Sequence, residues 1–265
     1  MNSVQLDKLK AWFDKFVAGF YGSDDFVNAN IKMKEDHSRR VFGEMLYLAD
    51  ELHLAENQRA LALAIGLLHD VGRFPQFKKY RTYNDPRSVN HCLFGLEVLR
   101  KEAVLTQLTE NERRLIESAI CYHGDKELPE GLDGDILLFS KMIRDADKLD
   151  IYNVITGAYI QHRDDPDNFK LEIEFPDIPE YTPVVLEAVL AGRLIDYKLL
   201  RTWNDMKLCI LGWVYDINFP AALVRIRQSR CHEAIFEFLP DNEDTAEVRR
   251  KIFAYVDDRI RSNGR

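Results

Sequence analysis

Apolar residues return every three to four positions along most of this chain, and that period constrains the fold more than any other feature. Val41, Met45, Leu48 and Leu52 make one such stripe, and Leu61, Ile65 and Leu68 another. This spacing lines one side of an α-helix and would scatter over both faces of a strand. The first residues, MNSVQLDKLKAWFDKF, read as an amphipathic helix. Thr109 followed by Glu112 is a capping-box signature that starts a helix near residue 110 and carries it to Tyr122, with Gly124 beyond its end. From Ile136 to about Tyr159 the period predicts a long, largely buried helix with Asp147 and Lys148 in its middle. Gly72 is expected to stop the helix that holds Leu61 to Leu68. The segment FPQFKKYRTYNDPRS, with two prolines and no apolar period, reads as a loop ending at a Ser88 cap.

Composition changes at residues 162–182, where acids, three prolines and a short alternating LEIEF predict a loop or small β-ribbon and the best domain boundary. Beyond it, VVLEAVLAGRLI, YKLLRTWNDMKLCILGWVYDI, FPAALVRIRQSR and TAEVRRKIFAYVDDRI all prefer helix. The expected fold is all-α: a helical bundle over residues 1–160, and a helical C-terminal region over residues 161–265 packed on it as one unit.

At 46% hydrophobic the chain can bury a sizeable core. A net charge of -8 removes the basic field that would steer a protein onto duplex nucleic acid. The start lacks the marks of a signal peptide and no apolar run reaches the length of a membrane span, so the expected address is cytoplasmic and no membrane partner is expected. Cys92, Cys121, Cys209 and Cys231 form no Cys-x-x-Cys pair, which argues against a zinc clip or a disulfide framework and for buried thiols. The oligomeric state is left open.

Chemistry concentrates in six metal-capable side chains, in the order His37, His69, Asp70, His91, His123 and Asp147, each on a helix or at its end and each bordered by apolar residues. Imidazole with carboxylate suits zinc, iron, manganese or nickel, and donors on separate helices converge only if a bundle folds around them. Neighbouring residues on a helix diverge by about 100°, so His69 and Asp70 reach one ion only near a helix end. A lone histidine on an apolar face is more often a satisfied core residue; it is the conjunction that points to a metal.

At these residues the chain resembles the HD superfamily of metal-dependent phosphohydrolases: His37, then LLHDVG with His69 and Asp70, then RDADKLD with Asp147, over about residues 35–155. The resemblance implies Asp147 as the last metal ligand and Asp145 as a residue orienting a histidine or the helix. Members with two metals add two histidines before the last aspartate, and His91 in SVNHCLFG and His123 in CYHGD match that order. A binuclear site bridged by Asp70 is thereby implied; one ion with two substrate-contacting histidines is the competing arrangement. The implied cofactor is one or two divalent ions (Mn, Fe, Ni, Co, Zn or Mg), and the implied activity is hydrolysis of a small phosphate ester, such as a nucleotide, with Asp70 orienting a metal-activated water.

One departure matters. Some nucleotidases and alarmone hydrolases of the superfamily follow His-Asp with two residues and then a glutamate, at the position where this chain has Arg73. A guanidinium is no base at neutral pH but suits phosphate, as does the ammonium of Lys148, so Arg73 and Lys148 are assigned to substrate phosphate and Lys148 joins Asp70 as a catalytic candidate. Lys78, Lys79, Arg81 and Arg87, interleaved with Phe74, Phe77, Tyr80 and Tyr83, offer further cationic and stacking contacts or a solvated loop anchored by its aromatics. Two other functions stay open: a metal- and nucleotide-binding module without turnover, and a diiron oxygenase on the same fold. His53, His162 and His232 lie outside the pattern and read as surface or structural residues.

Overall fold

The computed structural model describes residues 1–172 and 175–263. Among these residues every regular element is a helix, as the apolar period predicts. The chain divides into two compact units, Met1–Asp150 with Lys170–Glu172, and Ile151–Phe169 with Ile173–Arg265.

The first unit contains α1 (Ser3–Ala18), α2 (Asp25–Glu51), α3 (Glu56–Leu68), α4 (Arg73–Tyr80), α5 (His91–Lys101), α6 (Glu110–Tyr122) and the start of α7 (Gly134–Asp164). Its centre is α3, whose residues from Ala60 to Leu68 are all buried. A helix apolar on every side has to be surrounded, and α1, α2 and α6 pack around this one. Leu9 and Phe13 of α1, Ile31, Val41, Met45 and Leu48 of α2, and Phe139, Ile143 and Ala146 of α7 complete the core. Fully burying one Leu or Ile side chain contributes about 1.5–3 kcal/mol, so the stripes read from sequence are where this unit gains its stability.

The structure corrects the reading of FPQFKKYRTYNDPRS, because its first half is helical. Pro75 sits in the first turn of α4, where an N–H has no intrahelical acceptor to lose. Phe74 and Phe77, one turn apart, are completely buried; the Phe74 ring packs against Phe13, Phe16 and Phe20. Those two rings are therefore core and cannot stack on a ligand. The cap before His91 is Asn90, whose side chain accepts from Leu93 N at 2.9 Å, and not Ser88. Gly72 does more than end a helix: a Cβ there would lie 2.2 Å from the His91 carbonyl oxygen and 2.6 Å from Gly95 N. Only glycine lets the turn before α4 touch the first turn of α5. The capping box of Thr109 and Glu112 forms as predicted.

The second unit holds the remainder of α7, then α8 (Pro183–Leu190), α9 (Trp203–Gly212), α10 (Pro220–Ser229), α11 (Cys231–Phe236) and α12 (Glu243–Asn263). Tyr152, Val185, Val189, Leu211, Leu223, Ile235, Val248, Ile252 and Val256 form its core. Arg230, at φ 55, breaks the chain between α10 and α11. The ribbon alternative at LEIEF includes residues 173 and 174, which lie outside the described residues. Among the described residues no helix is long and apolar enough to cross a membrane.

Candidate metal centre

The helices of the first unit bring all six sequence-predicted donors together. His37 lies in the middle of α2, His69 caps the C-terminus of α3 with Asp70 beside it, and His91 opens α5. His123 caps α6 and Asp147 sits midway along α7. His37, His69, Asp70, His91 and His123 are buried, while the Asp147 carboxylate is 19% exposed and marks the open side.

Hydrogen bonds to the far side of each ring decide which nitrogen faces inward. Nδ1 of His37 donates to Asp150 Oδ2 at 2.7 Å, and Nδ1 of His69 to the Gly66 carbonyl at 2.8 Å. Nδ1 of His91 donates to Asp85 Oδ2 at 2.6 Å, and Nδ1 of His123 to the Ile120 carbonyl at 2.8 Å. A proton held on Nδ1 leaves Nε2 of each ring as the nitrogen that can offer a lone pair to a cation. These lone pairs meet in pairs: His37 Nε2 is 3.3 Å from His69 Nε2, and His91 Nε2 is 3.1 Å from His123 Nε2. Two acceptors at that separation repel unless a proton or a cation lies between them. Nitrogens each about 2.0–2.1 Å from one tetrahedral ion stand about 3.3 Å apart, so the pairs fit a metal.

The carboxylates join the two pairs. Asp70 Oδ2 lies 3.5 Å from Nε2 of both His37 and His69. Its other oxygen, Oδ1, lies 3.6 Å from Nε2 of both His91 and His123. That buried Oδ1 accepts no hydrogen bond among the described residues, the state of an oxygen aimed at a cation. Asp147 Oδ1 stands 3.1 Å from His37 Nε2 and 3.6 Å from His69 Nε2. Of the three aspartates in RDADKLD, Asp147 therefore faces the Nε2 atoms of the histidines and Asp150 holds His37 from behind, while Asp145 is buried elsewhere along α7.

Charge balance follows from this crowding. Burial alone would raise the Asp70 pKa, but the charges of Lys34 and His69 hold it well below the usual carboxylate range. Asp147 is likewise held well below, its burial outweighed by His37 and His69. Burial and Lys34 push the His37 pKa down, yet its hydrogen bonds to Asp147, Asp150 and Asp70 win and raise it to about 9. Burial would raise the Cys92 thiol, and the neighbouring His123 and His91 bring it down to about 6.

Further groups hold these donors, and of them Lys34, Arg40 and Asp85 escaped the sequence reading. Asp150 both orients His37 and receives Arg40, whose Nε and Nη2 reach its two oxygens at 2.6 and 3.1 Å. Lys34 Nζ lies 2.7 Å from Asp70 Oδ2; its only signal is its place one turn before His37. Asp85 orients His91 and is itself held by Arg73 Nη1 at 2.9 Å. Arg73 Nη1 also donates to Gln76 Oε1 and the Tyr83 carbonyl, so this guanidinium fixes the loop that carries Asp85. Lys34 and Arg73 flank one ring, at 5.5 and 5.8 Å from the Tyr83 centroid. Lys148, half-buried beside Asp147, places Nζ 3.4 Å from the Arg144 carbonyl. Lys78, Lys79, Arg81 and Arg87 are exposed.

Residues 35–152 match the family model of the HD domain. No curated protein and no solved structure matches the chain.

Proposed function

With residues 35–152 established as an HD domain, a fold that binds divalent metals in a superfamily made up mostly of metal-dependent hydrolases, we propose that this protein is a metal-dependent phosphohydrolase acting on a nucleotide or a related small phosphate ester. The observation that carries the reading is the pair of oxygens of Asp70, each turned to a different pair of imidazole nitrogens. On this reading His37, His69, Asp70 and Asp147 would hold one ion, and His91, His123 and Asp70 would hold a second. Divalent ions held there would polarise phosphate oxygens and lower the pKa of a bound water.

The chain's own groups prepare that chemistry. Asp150, Asp85 and the carbonyls of Gly66 and Ile120 fix the tautomer of each imidazole before any ligand arrives. Lys34 and Arg73 bring positive charge to the side of Asp70, and Lys148 brings it beside Asp147. A phosphate group bound between them gains charge-assisted contacts. Arg73 acts first as the residue that positions Asp85, and its phosphate contact is the second part of its role.

The test is metal analysis of the full chain purified without chelator, followed by a panel of phosphomonoesters, phosphodiesters and nucleotides with Mn, Fe, Co, Ni and Zn. The expected result is two ions per chain and metal-dependent phosphate release, both lost in Asp70→Ala. Full activity of the Asp70→Ala protein without metal would overturn the reading. Full occupancy without turnover on any substrate would replace the hydrolase by a metal- and phosphate-binding module, and oxygen consumption by the iron-loaded protein by an oxygenase.

A further inference from the structure

The second pair of histidines has a neighbour of a different chemical kind. Cys92, the second residue of α5, is 2% exposed and places Sγ 3.4 Å from His91 Nε2; it also lies 3.5 Å from His123 Nδ1, the nitrogen whose proton goes to the Ile120 carbonyl. One donor atom from each of His91, Cys92 and His123 lies within 4.8 Å of the others. Around a tetrahedral ion with bonds of about 2.3 Å to sulfur and about 2.0–2.1 Å to nitrogen, a sulfur and a nitrogen stand about 3.5 Å apart. The distance from Cys92 Sγ to His91 Nε2 meets that value. Asp70 Oδ1, buried, without a hydrogen bond among the described residues and with Arg73 Nε 3.5 Å away, is turned toward the same two imidazoles.

The fold makes room for this sulfur. A Cβ on residue 124 would lie 2.8 Å from Cys92 Sγ and 3.1 Å from His91 Cε1. Glycine after His123 is therefore what lets the thiol reach the histidine pair. The N-terminal turn of α5 favours a negative group at its second residue.

We propose that Cys92 is a thiolate ligand of the second ion, so that this position is a mixed site of His91, His123, Cys92 and Asp70, selective for a borderline metal such as zinc or cobalt. The proposal rests on the reading of His91 and His123 as ligands of a second cation. Thiolate donors favour zinc and cobalt over the hard ions magnesium and manganese. Loading the second position with zinc or cobalt is then preferred over magnesium by far more than imidazole and carboxylate alone dictate, and Cys92→Ser narrows that preference by roughly tenfold or more.

The experiment is X-ray absorption at the zinc edge of the full chain loaded with zinc alone, paired with the electronic spectrum of the cobalt-loaded protein. The expected result is a sulfur shell at about 2.3 Å beside the nitrogen and oxygen shell, and a thiolate-to-cobalt charge-transfer band. Both are to disappear in Cys92→Ala and in Cys92→Ser. Two ions bound through nitrogen and oxygen only would overturn the role of Cys92 and leave the phosphohydrolase reading intact. A sulfur shell that persists in Cys92→Ala would overturn it as well, by assigning the sulfur to another cysteine. A chain that takes up no divalent ion at all would overturn both.

Discussion

Asp150 accepts a hydrogen bond from His37 Nδ1 on one oxygen and from the Arg40 guanidinium on both, and Asp85 accepts one from His91 Nδ1. Groups that orient a ligating histidine typically change metal affinity by about 10–100-fold when removed. Because each aspartate holds one ring of a different pair, the two effects should separate. Asp150→Asn is expected to weaken one binding step by about that factor and Asp85→Asn the other, in a competitive chelator titration of the full chain. Equal weakening of both steps by either variant would mean that the histidine pairs do not act as separate ion sites. At this scale the six converging donors were legible in sequence, because each one interrupts an apolar helical stripe where a charge or imidazole has no place without a partner. The orienting residues were less so. Asp150 sits one helical turn after Asp147, on the same helix, but Asp85 reaches His91 across a loop and Lys34 reaches Asp70 from another helix. No period in the sequence encodes either contact.

Among elements, the end of α6 shows how a helix terminus is held for chemistry. Arg144 of α7 is 4% exposed and donates Nη1 to the carbonyls of Tyr122, His123 and Asp125, and Nη2 to that of Lys126. The last carbonyls of a helix have no intrahelical donors, so one buried guanidinium satisfies the turn that carries His123. Arg144→Leu keeps the volume roughly but removes every donor, at a cost on the order of 3 kcal/mol for charged hydrogen bonds left unmade. The expected outcome is a lower denaturant midpoint for the chain and loss of one ion per chain, with the ion held by His37, His69 and Asp147 retained. Unchanged stability and unchanged stoichiometry would show that α6 ends the same way without Arg144. The helix α4 teaches the complementary lesson about sequence. Its apolar signal is only Phe74 and Phe77 among polar residues and a proline, too short to register as a period, and the neighbours that bury those rings come from α1 and α2. Long helices such as α2 and α7 were legible because they repeat their own pattern, whereas α4 and α11 are helical mainly because of what surrounds them.

For the molecule as a whole, acidification acts on different groups in the two units. In the first unit the depressed groups include Asp70 and Asp147, and Asp85 at about 2. A carboxylate with a lowered folded pKa gives its full stabilisation above its unfolded value of about 4 and loses it only below that. The second unit carries His232, buried against the Tyr152 ring at 4.9 Å, with neither ring nitrogen hydrogen-bonded among the described residues. Burial, helped by the charge of Arg227, pushes its pKa down to about 3. The unfolded chain then takes up this proton first, near pH 6.5, so the stabilisation is complete above that pH. It falls by about 1.4 kcal/mol per pH unit as the pH drops from 6.5 toward 3. His232→Phe keeps an aromatic ring of similar size and removes the titration, and comparing the two proteins cancels every other group. The stability of the wild type relative to this variant should be flat from pH 8 to 7 and decline by about 2 kcal/mol between pH 6.5 and 5, read from urea unfolding at fixed ionic strength. A difference independent of pH across that range would mean that His232 finds a hydrogen-bond partner or solvent in the folded protein, and the acid sensitivity of the second unit would then have to come from its carboxylates, at lower pH.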